Sequence, residues 1–174
     1  SLSQTRAGYY EMNRFADIFA NVTRAPKSIV PEIEAIEGVA IVEPRIAKIA
    51  LADIEGMAEP AAVMIVSLPD LSEPKLNRLY MRSGNMPEAG KAGEILVGEG
   101  FARAHGFTMG SELHVLLNGK RRRLTITGMA LSPEFIYTLG PGDMMPDDRR
   151  FGTVWMRESE VAAAYGLSGA FSNL

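Results

Sequence analysis

Cysteine is absent from the 174-residue sequence, which excludes a disulfide framework, a cysteine-ligated metal and a thiol nucleophile. Long apolar runs are absent as well. The longest run without a charged residue, 161–174, contains several polar residues and is shorter than the ~20 apolar residues that a membrane-spanning helix needs. The N-terminus also has no apolar core segment of the kind found in a signal peptide.

A surplus of basic charge is missing too. The net charge is −3, whereas domains that bind nucleic acid usually carry a basic surplus. Hydrophobic residues make up 47% of the sequence and charged residues 22%, a composition that supports a hydrophobic core and argues against disorder. We therefore expect one folded domain or two small lobes, without a nucleic-acid partner.

The N-terminal part of the sequence alternates between strand-like and helix-like segments. Ile29, Ile33 and Ile36 fall at helical spacing, and Gly38 suits the left-handed residue that ends a helix. β-branched and aromatic residues favour strands on both sides of this helix. The predicted split β-α-β-β unit consists of a strand over 14–22, a helix over 28–38 and strands over 39–52 and 61–68.

The remaining segments predict a connector and a more β-rich part. Ser72, Glu73 and Pro74 are typical of a helix start, and we place a lobe boundary near residue 82. Asn118 and Gly119 tolerate the positive φ of a type I′ turn and lie between two alternating runs, which predicts a β-hairpin. The other predicted elements are strands at 94–97, 113–117, 124–126, 151–156 and 170–174, and helices over 99–105 and 158–165.

No combination of residues predicts a catalytic centre. The two histidines, His105 and His114, have no neighbouring partner that suggests a triad or a zinc site. The sequence has no nucleophile elbow, P-loop or dinucleotide-binding glycine motif, and neither Ser67 nor 132–134 belongs to a recognisable motif with a histidine. We therefore expect structural histidines, no catalytic residue, no cofactor and no metal.

An acidic cluster allows two interpretations. Asp143, Asp147 and Asp148 carry the oxygen ligands that a hard cation prefers, but their spacing does not match an EF-hand loop. Arg149 and Arg150 follow at once. We therefore favour a turn with local ion pairs.

The basic run at 120–123 follows the predicted hairpin turn. In an alternating strand its members point to both faces, which favours a solvated hairpin edge protected from unwanted pairing. Contact with anionic lipid headgroups is the alternative.

The segment 132–150 is long, irregular and rich in apolar side chains. One interpretation is that these side chains cover the core. The other is that they form a contact surface for a partner protein or a lipidic substrate. The candidate contact residues are Phe135, Ile136, Tyr137, Leu139, Met144 and Met145.

A series of short motifs runs through the sequence in a characteristic order. They are the aromatic pair at 9–10, Phe-Ala-Asp-Ile-Phe-Ala at 15–20, Arg-Ala-Pro at 24–26, Ile-Glu-Ala-Ile-Glu-Gly-Val at 33–39, the strand-like 94–97, Phe-Ala at 101–102, Gly110, Leu-Thr-Ile-Thr-Gly at 124–128, and the stretch from 132–134 to 151–156.

In the order and spacing of these motifs the sequence resembles the periplasmic core domain of MacB/FtsX-type ABC transporter permeases, over nearly the whole chain. The stretch 82–87 departs from the family pattern, because Gly84 and Arg82 are not adjacent as in the family's Gly-Arg-hydrophobic segment. The resemblance implies an α+β fold with two lobes and with both chain ends close together, facing the membrane. The implied lobes are a membrane-proximal split β-α-β lobe, 1–82 plus 156–174, and an inserted, mostly β lobe with short helices, 83–155.

The resemblance also implies a mechanical role. Such a domain is the periplasmic part of an inner-membrane permease, and it couples the motion of transmembrane helices to the handling of a substrate or partner. ATP is hydrolysed by a separate cytoplasmic ATPase subunit, so the domain itself is not an enzyme. The implied partners are its own transmembrane helices, the ATPase, and a periplasmic partner or a lipid, lipoprotein or peptide substrate, and the full-length permease is implied to be a dimer.

Two other functions stay open at this point. One is a free-standing soluble module that binds a protein or a lipid. The other is a hydrolase with a site around Asp143, Asp147 and Asp148. Flanking sequence separates the permease from the soluble module, because apolar stretches of ~20 residues would precede Ser1 and follow Leu174 in a permease.

Overall fold

The structure, a computed structural model, describes residues 15–136 and 147–174. Strands dominate these ranges and the helices are short, so the predicted α+β class is confirmed. None of the described helices is long and apolar enough to cross a membrane. In chain order the elements are β1 (Asn21–Pro26), a 3₁₀ turn (Lys27–Ile29), α1 (Val30–Glu34), β2 (Ala47–Asp53), β3 (Ala61–Leu68), β4 (Tyr80–Gly84), β5 (Glu94–Gly98), α2 (Glu99–His105), β6 (Glu112–Leu117), β7 (Lys120–Leu131), α3 (Pro133–Ile136), β8 (Phe151–Arg157), α4 (Glu158–Tyr165) and β9 (Ala170–Asn173).

Six of the strands close into a barrel. β2 pairs with β3 and β6, β3 pairs with β8, and β8 pairs with β5. β7 closes the ring because its two edges have different partners. Thr125 donates its N–H to Gly93, next to β5, whereas Ile126 donates its N–H to Ser111, next to β6. The last strand of this sheet, β4, pairs with the end of β7 as an edge strand.

Alternating residues of all six strands fill the barrel. Successive side chains of a strand point to opposite faces, so every second residue reaches the interior. These side chains belong to one buried cluster. They are Ala50 and Ala52 of β2, Ala61, Val63 and Ile65 of β3, Ile95 and Val97 of β5, Leu113, Val115 and Leu117 of β6, Leu124 and Ile126 of β7, and Val154 and Met156 of β8.

Two helices close the ends of the barrel. α2 follows β5 directly and α4 follows β8 directly, and because β5 and β8 run antiparallel, the helices lie at opposite ends. Phe101 and Ala102 of α2 and Val161 and Ala162 of α4 belong to the same buried cluster as the interior of the barrel. The barrel is therefore a packed core.

Part of the outer face of the barrel is covered by the chain itself. Outward-facing residues of β3, β5, β7 and β8 form a second buried cluster. Leu79, Met81 and Met86 pack against this cluster from the connection between β3 and β5. We call this region the outer layer; its buried members are Val66, Leu68, Leu96, Ala130 and Trp155.

The two ends of the described chain meet in a separate sheet, the end sheet, formed by β1 and β9. The strands are antiparallel, with Asn21 opposite Asn173. Beyond them, Ala20 and Leu174 exchange two backbone hydrogen bonds, of 2.9 and 2.8 Å. The first and the last described strand are therefore neighbours, while the N-terminal end of the chain lies outside the described residues.

Several local predictions are confirmed. The strand 61–68 has the predicted bounds, and the helices over 99–105 and 158–165 are α2 and α4. The hairpin between β6 and β7 turns at Asn118 and Gly119, whose φ angles of 47° and 81° are those of the predicted turn. These segments carry their own start and stop signals, so local sequence was sufficient.

Other local predictions are wrong. The expected helix after Ser72 does not form; the chain there covers the outer layer, and Asn77 takes a positive φ of 50° and accepts a hydrogen bond from the N–H of Ala16. The strand expected over 14–22 begins only at Asn21, where a partner in β9 becomes available. The strand expected over 39–52 likewise begins only at Ala47, where β3 pairs with it.

The predicted lobe boundary near residue 82 does not divide the barrel. β2 and β3 precede this boundary and β5 to β8 follow it, yet all of them belong to one closed sheet. The assignment of 1–82 plus 156–174 and of 83–155 to two lobes stays a prediction.

Candidate functional site

Among the described residues, no group of three or more His, Asp or Glu side chains is placed to hold an ion. Asp147 instead shapes the turn before β8. Its carboxylate accepts the N–H of Arg149 at 3.1 Å and pairs with Nε of Arg150 at 3.4 Å. Asp148 is exposed and Asp143 lies outside the described residues. The turn with local ion pairs is the interpretation that this geometry supports.

Both histidines make contacts of a structural kind. His105 is the last residue of α2, and its Nε2 lies 2.8 Å from the carbonyl oxygen of Arg149. Its ring packs edge-on against Phe101, with the centroids 4.8 Å apart. His114 lies in β6, opposite Asp53 of β2 and Arg123 of β7.

The basic run at 120–123 lies at the exposed start of β7. Arg121 pairs with Asp53 at 3.4 Å and Arg123 with Glu112 at 3.8 Å. Both pairs are largely exposed to solvent, and such pairs contribute about 0–1 kcal/mol. The run is therefore a solvated hairpin edge, as the alternation in the sequence predicts.

The candidate contact residues fall at the limit of the described structure. Phe135 and Ile136 belong to α3, while Tyr137, Leu139, Met144 and Met145 lie outside the described residues. The choice between a core cover and a contact surface stays a prediction. The structure does describe how the chain holds α3, the element that leads into this segment.

A buried ion pair fixes the start of α3. The guanidinium of Arg45 donates two parallel hydrogen bonds to the carboxylate of Glu134, one of them from Nη1 to Oε2 at 2.7 Å. The side chains are only 13% and 11% exposed. This fork geometry is the strongest arrangement that an arginine and a carboxylate can form.

The same arginine is tied to the end sheet. Its Nε donates to Oδ1 of Asn173 at 2.5 Å, and its backbone N–H donates to the carbonyl oxygen of Asn173 at 2.9 Å. Nδ2 of Asn173 in turn donates to Oδ1 of Asn21 at 2.6 Å, across the two strands of the end sheet. We call Asn21, Arg45, Glu134 and Asn173 the end-sheet network.

A small cavity of about 30 Å³ lies beside this network. Glu43 lines it together with Arg45, Glu134 and Asn173. Burial raises the pKa of Glu43, while the backbone N–H of Lys75, 3.2 Å from its carboxylate, and the charges of Lys75 and Arg45 act in the opposite direction. Charged and polar groups from distant parts of the sequence therefore converge at this junction.

The sequence analysis missed the end-sheet network. Arg45 and Glu134 are separated by 89 residues, and Arg45 and Asn173 by 128. The one local signal is a charged residue close to the buried Val42 and Ile46. That signal marks Arg45 as unusual but does not identify its partners.

A second feature that the sequence did not reveal lies on the outside of the barrel. Leu116, Leu51, Ala62 and Phe151 stand opposite one another on four neighbouring strands and form an apolar row, the outer strip. Leu116, Leu51 and Phe151 are 44%, 48% and 61% exposed. The strip borders a groove of about 620 Å³ whose lining includes Ile49, Met64, Gly100, Thr153 and Trp155.

The comparison with solved structures bears on the fold. No protein-family model matches the sequence, and no curated protein matches it either. Among solved structures, the extracellular domain of the noncanonical ABC-type transporter YknZ from Gram-positive bacteria superimposes with a TM-score of 0.52 at 14% identity, over 92% of this chain and 78% of that one. The periplasmic region of MacB from Actinobacillus actinomycetemcomitans gives a TM-score of 0.49 at 10% identity, over 88% of this chain and 64% of that one. The chain therefore shares its fold with the extracellular domain of YknZ, in agreement with the resemblance in motif order.

Proposed function

We propose that this chain is the extracytoplasmic domain of an ABC transporter permease, the periplasmic part of a protein of the inner membrane. The observation that carries the proposal is the end sheet, in which β1 and β9 run antiparallel and bring the first strand and the last strand of the described chain side by side. Adjacent ends are what a domain inserted between two neighbouring membrane helices requires. The fold shared with the extracellular domain of YknZ supports the same proposal.

In this proposal the domain works as a mechanical part and not as an enzyme. Transmembrane helices on either side move the end sheet, and a separate cytoplasmic ATPase subunit supplies the energy. The packed barrel transmits the displacement because close-packed interiors deform little. Its partners are its own membrane helices, the ATPase and a periplasmic partner or a lipid, lipoprotein or peptide substrate, and the full-length permease acts as a dimer.

The first test is the topology of the full-length gene product. We expect an apolar stretch of ~20 residues directly before Ser1 and another after Leu174, and a periplasmic reporter fused within the β6–β7 hairpin should be active. A product without these stretches, or a hairpin reporter active only in the cytoplasm, would contradict the proposal.

A second candidate function is a free-standing module that binds a protein or a lipid. The groove of about 620 Å³ beside the outer strip favours it, since ligand sites commonly enclose about 300–1,000 Å³. The topology test separates the two functions, because a free-standing module has no flanking spans.

The contact segment is also part of the proposal. Replacing Phe135, Tyr137 and Met144 together by Ser should leave the melting temperature of the domain nearly unchanged and abolish transport by the full-length permease, because an exposed contact surface contributes to binding and not to the core. Leu71→Ser, at a side chain that is 94% exposed, is the control and should affect neither quantity. A large fall in melting temperature in the triple variant would show that these side chains belong to the core.

A further inference from the structure

The end-sheet network joins residues that lie far apart in the sequence. Asn21 and Asn173 belong to the end sheet, Arg45 precedes β2, and Glu134 belongs to α3. The guanidinium of Arg45 binds the carboxylate of Glu134 and Oδ1 of Asn173, and it lies over the ring of Phe19 at 5.7 Å from the centroid. This places one side chain between the chain ends and the element that leads into the candidate contact segment.

The contacts of Arg45 make the junction rigid. Its backbone holds β9 by hydrogen bonds in both directions, since its N–H donates to the carbonyl oxygen of Asn173 and its own carbonyl oxygen accepts the N–H groups of Ser172 and Asn173. Its side chain holds Glu134 through a fork of two bonds. A planar fork of this kind fixes orientation as well as distance.

The pair is also hard to break. Both side chains are largely shielded from solvent, so separating them would leave a mostly buried charge without a partner, which is unfavourable. Displacing the end sheet therefore either moves α3 with it or breaks this pair.

We infer that Arg45 is a positioning residue that couples the end sheet to α3, so that a displacement of the end sheet is passed to α3. The inference rests on the proposed function in one respect, namely that the chain ends are where the displacement enters. The mechanical link between the end sheet and α3 itself belongs to the folded chain alone. Coupling of this kind is reciprocal, so a change at α3 must be felt in the end sheet.

Amide hydrogen exchange on the 174-residue chain tests the link. Glu134→Gln keeps the shape of the side chain and removes its charge, at a site outside the end sheet. We expect it to speed exchange of the amides of Ala20, Arg45 and Leu174, which are hydrogen-bonded beside the end sheet, by at least about tenfold, while barrel amides of β3 and β8 keep their rates. Arg45→Met should have the same effect, and the double variant should exchange no faster than Arg45→Met alone, because both changes remove one link.

The matched control is Arg121→Met, which removes an arginine from the exposed pair with Asp53 and should leave end-sheet exchange unchanged. If Arg45→Met fails to fold, Arg45→Lys keeps the charge, loses the fork and should give a smaller acceleration at the same amides. Unchanged exchange rates in the end sheet of the Glu134→Gln variant would overturn the inference. An equal acceleration of exchange throughout the barrel would also overturn it, because that result reports only a loss of overall stability.

In the full-length permease, transport activity is a second measure of the link between the end sheet and α3. Glu134→Gln should lower transport while ATP hydrolysis by the partner subunit continues, because the displacement no longer reaches α3. Because the exchange experiment needs neither membrane nor ATPase, its outcome does not depend on the topology test. A chain that lacks flanking spans but shows the coupled exchange would overturn the permease proposal alone.

Discussion

Phe101→Ala should lower the free energy of unfolding by about 3–5 kcal/mol, the cost typical of deleting a large buried aromatic side chain. Phe101 is 2% exposed and closes one end of the barrel from α2. Its ring lies so close over Gly152 that a Cβ at that residue would stand 2.4 Å from it. The ring also packs edge-on against His105 and Phe107, with the centroids 4.8 and 5.8 Å away. Urea denaturation followed by circular dichroism measures the change.

Phe151→Ala is the matched control for this experiment. It removes the same side chain from the outer strip, where Phe151 is 61% exposed, and should cost no more than about 0.5 kcal/mol. Equal losses in the two variants would mean that α2 does not close the barrel as described. A large loss only in Phe151→Ala would mean that the outer strip is covered in solution.

Gly84→Ala should lower the free energy of unfolding by about 2–5 kcal/mol, because it combines backbone strain with overpacking. Gly84 ends β4 with a φ of +75°, in the left-handed region that other residues rarely adopt. A Cβ there would stand 2.2 Å from the carbonyl oxygen of Thr127 and 2.6 Å from Cα of Gly128. Both contacts are with the backbone of β7, so β4 must move away from β7.

The protein carries a convenient probe for this movement. Its single tryptophan, Trp155, is 3% exposed in the outer layer, against which Met81 of β4 packs. Its fluorescence should shift to the red in Gly84→Ala. Gly90→Ala is the control, since Gly90 has a similar φ of +85° but nothing within 4 Å of the added Cβ, and it should cost only about 1–2 kcal/mol without a spectral shift. Matching losses and spectra in the two variants would show that β4 does not pack against β7.

Phe101→Ala and Gly84→Ala both test the rigidity of the barrel, which is the property that the proposed function needs most. A domain that transmits displacement must resist deformation between the point where it is moved and the point where it acts. The closed barrel and its covered outer layer supply that resistance through close packing. The end-sheet network then decides which part of the surface follows the chain ends.

The sequence by itself determined the elements that carry their own signals. The strand Ala61–Leu68 is a continuous apolar run, the hairpin turns at Asn118 and Gly119, and α2 is followed by a glycine with a left-handed φ of 66°. Each of these depends on contacts or backbone preferences within a few residues. The order of short motifs also predicted the fold that the structural comparison supports.

Only the tertiary structure decided how these elements meet. The sequence indicated the alternation on both sides of the β6–β7 turn, but not that β7 has a different strand on each edge and so closes a barrel across the predicted lobe boundary. Nor did it indicate that the expected helix after Ser72 gives way to a segment that covers the outer layer. The energy that selects these arrangements comes from burial between segments far apart in the chain, and it outweighs local propensity.

Contacts between segments far apart in the chain also explain why the sequence indicates only part of the candidate site. The apolar residues after α3 stand out by composition, so they were identified as a candidate surface. Arg45, Glu134 and Asn173 look ordinary in their local surroundings, and they acquire a role only when folding brings them to one junction. A charged side chain reveals its partner through three-dimensional proximity, and a single sequence does not record that proximity.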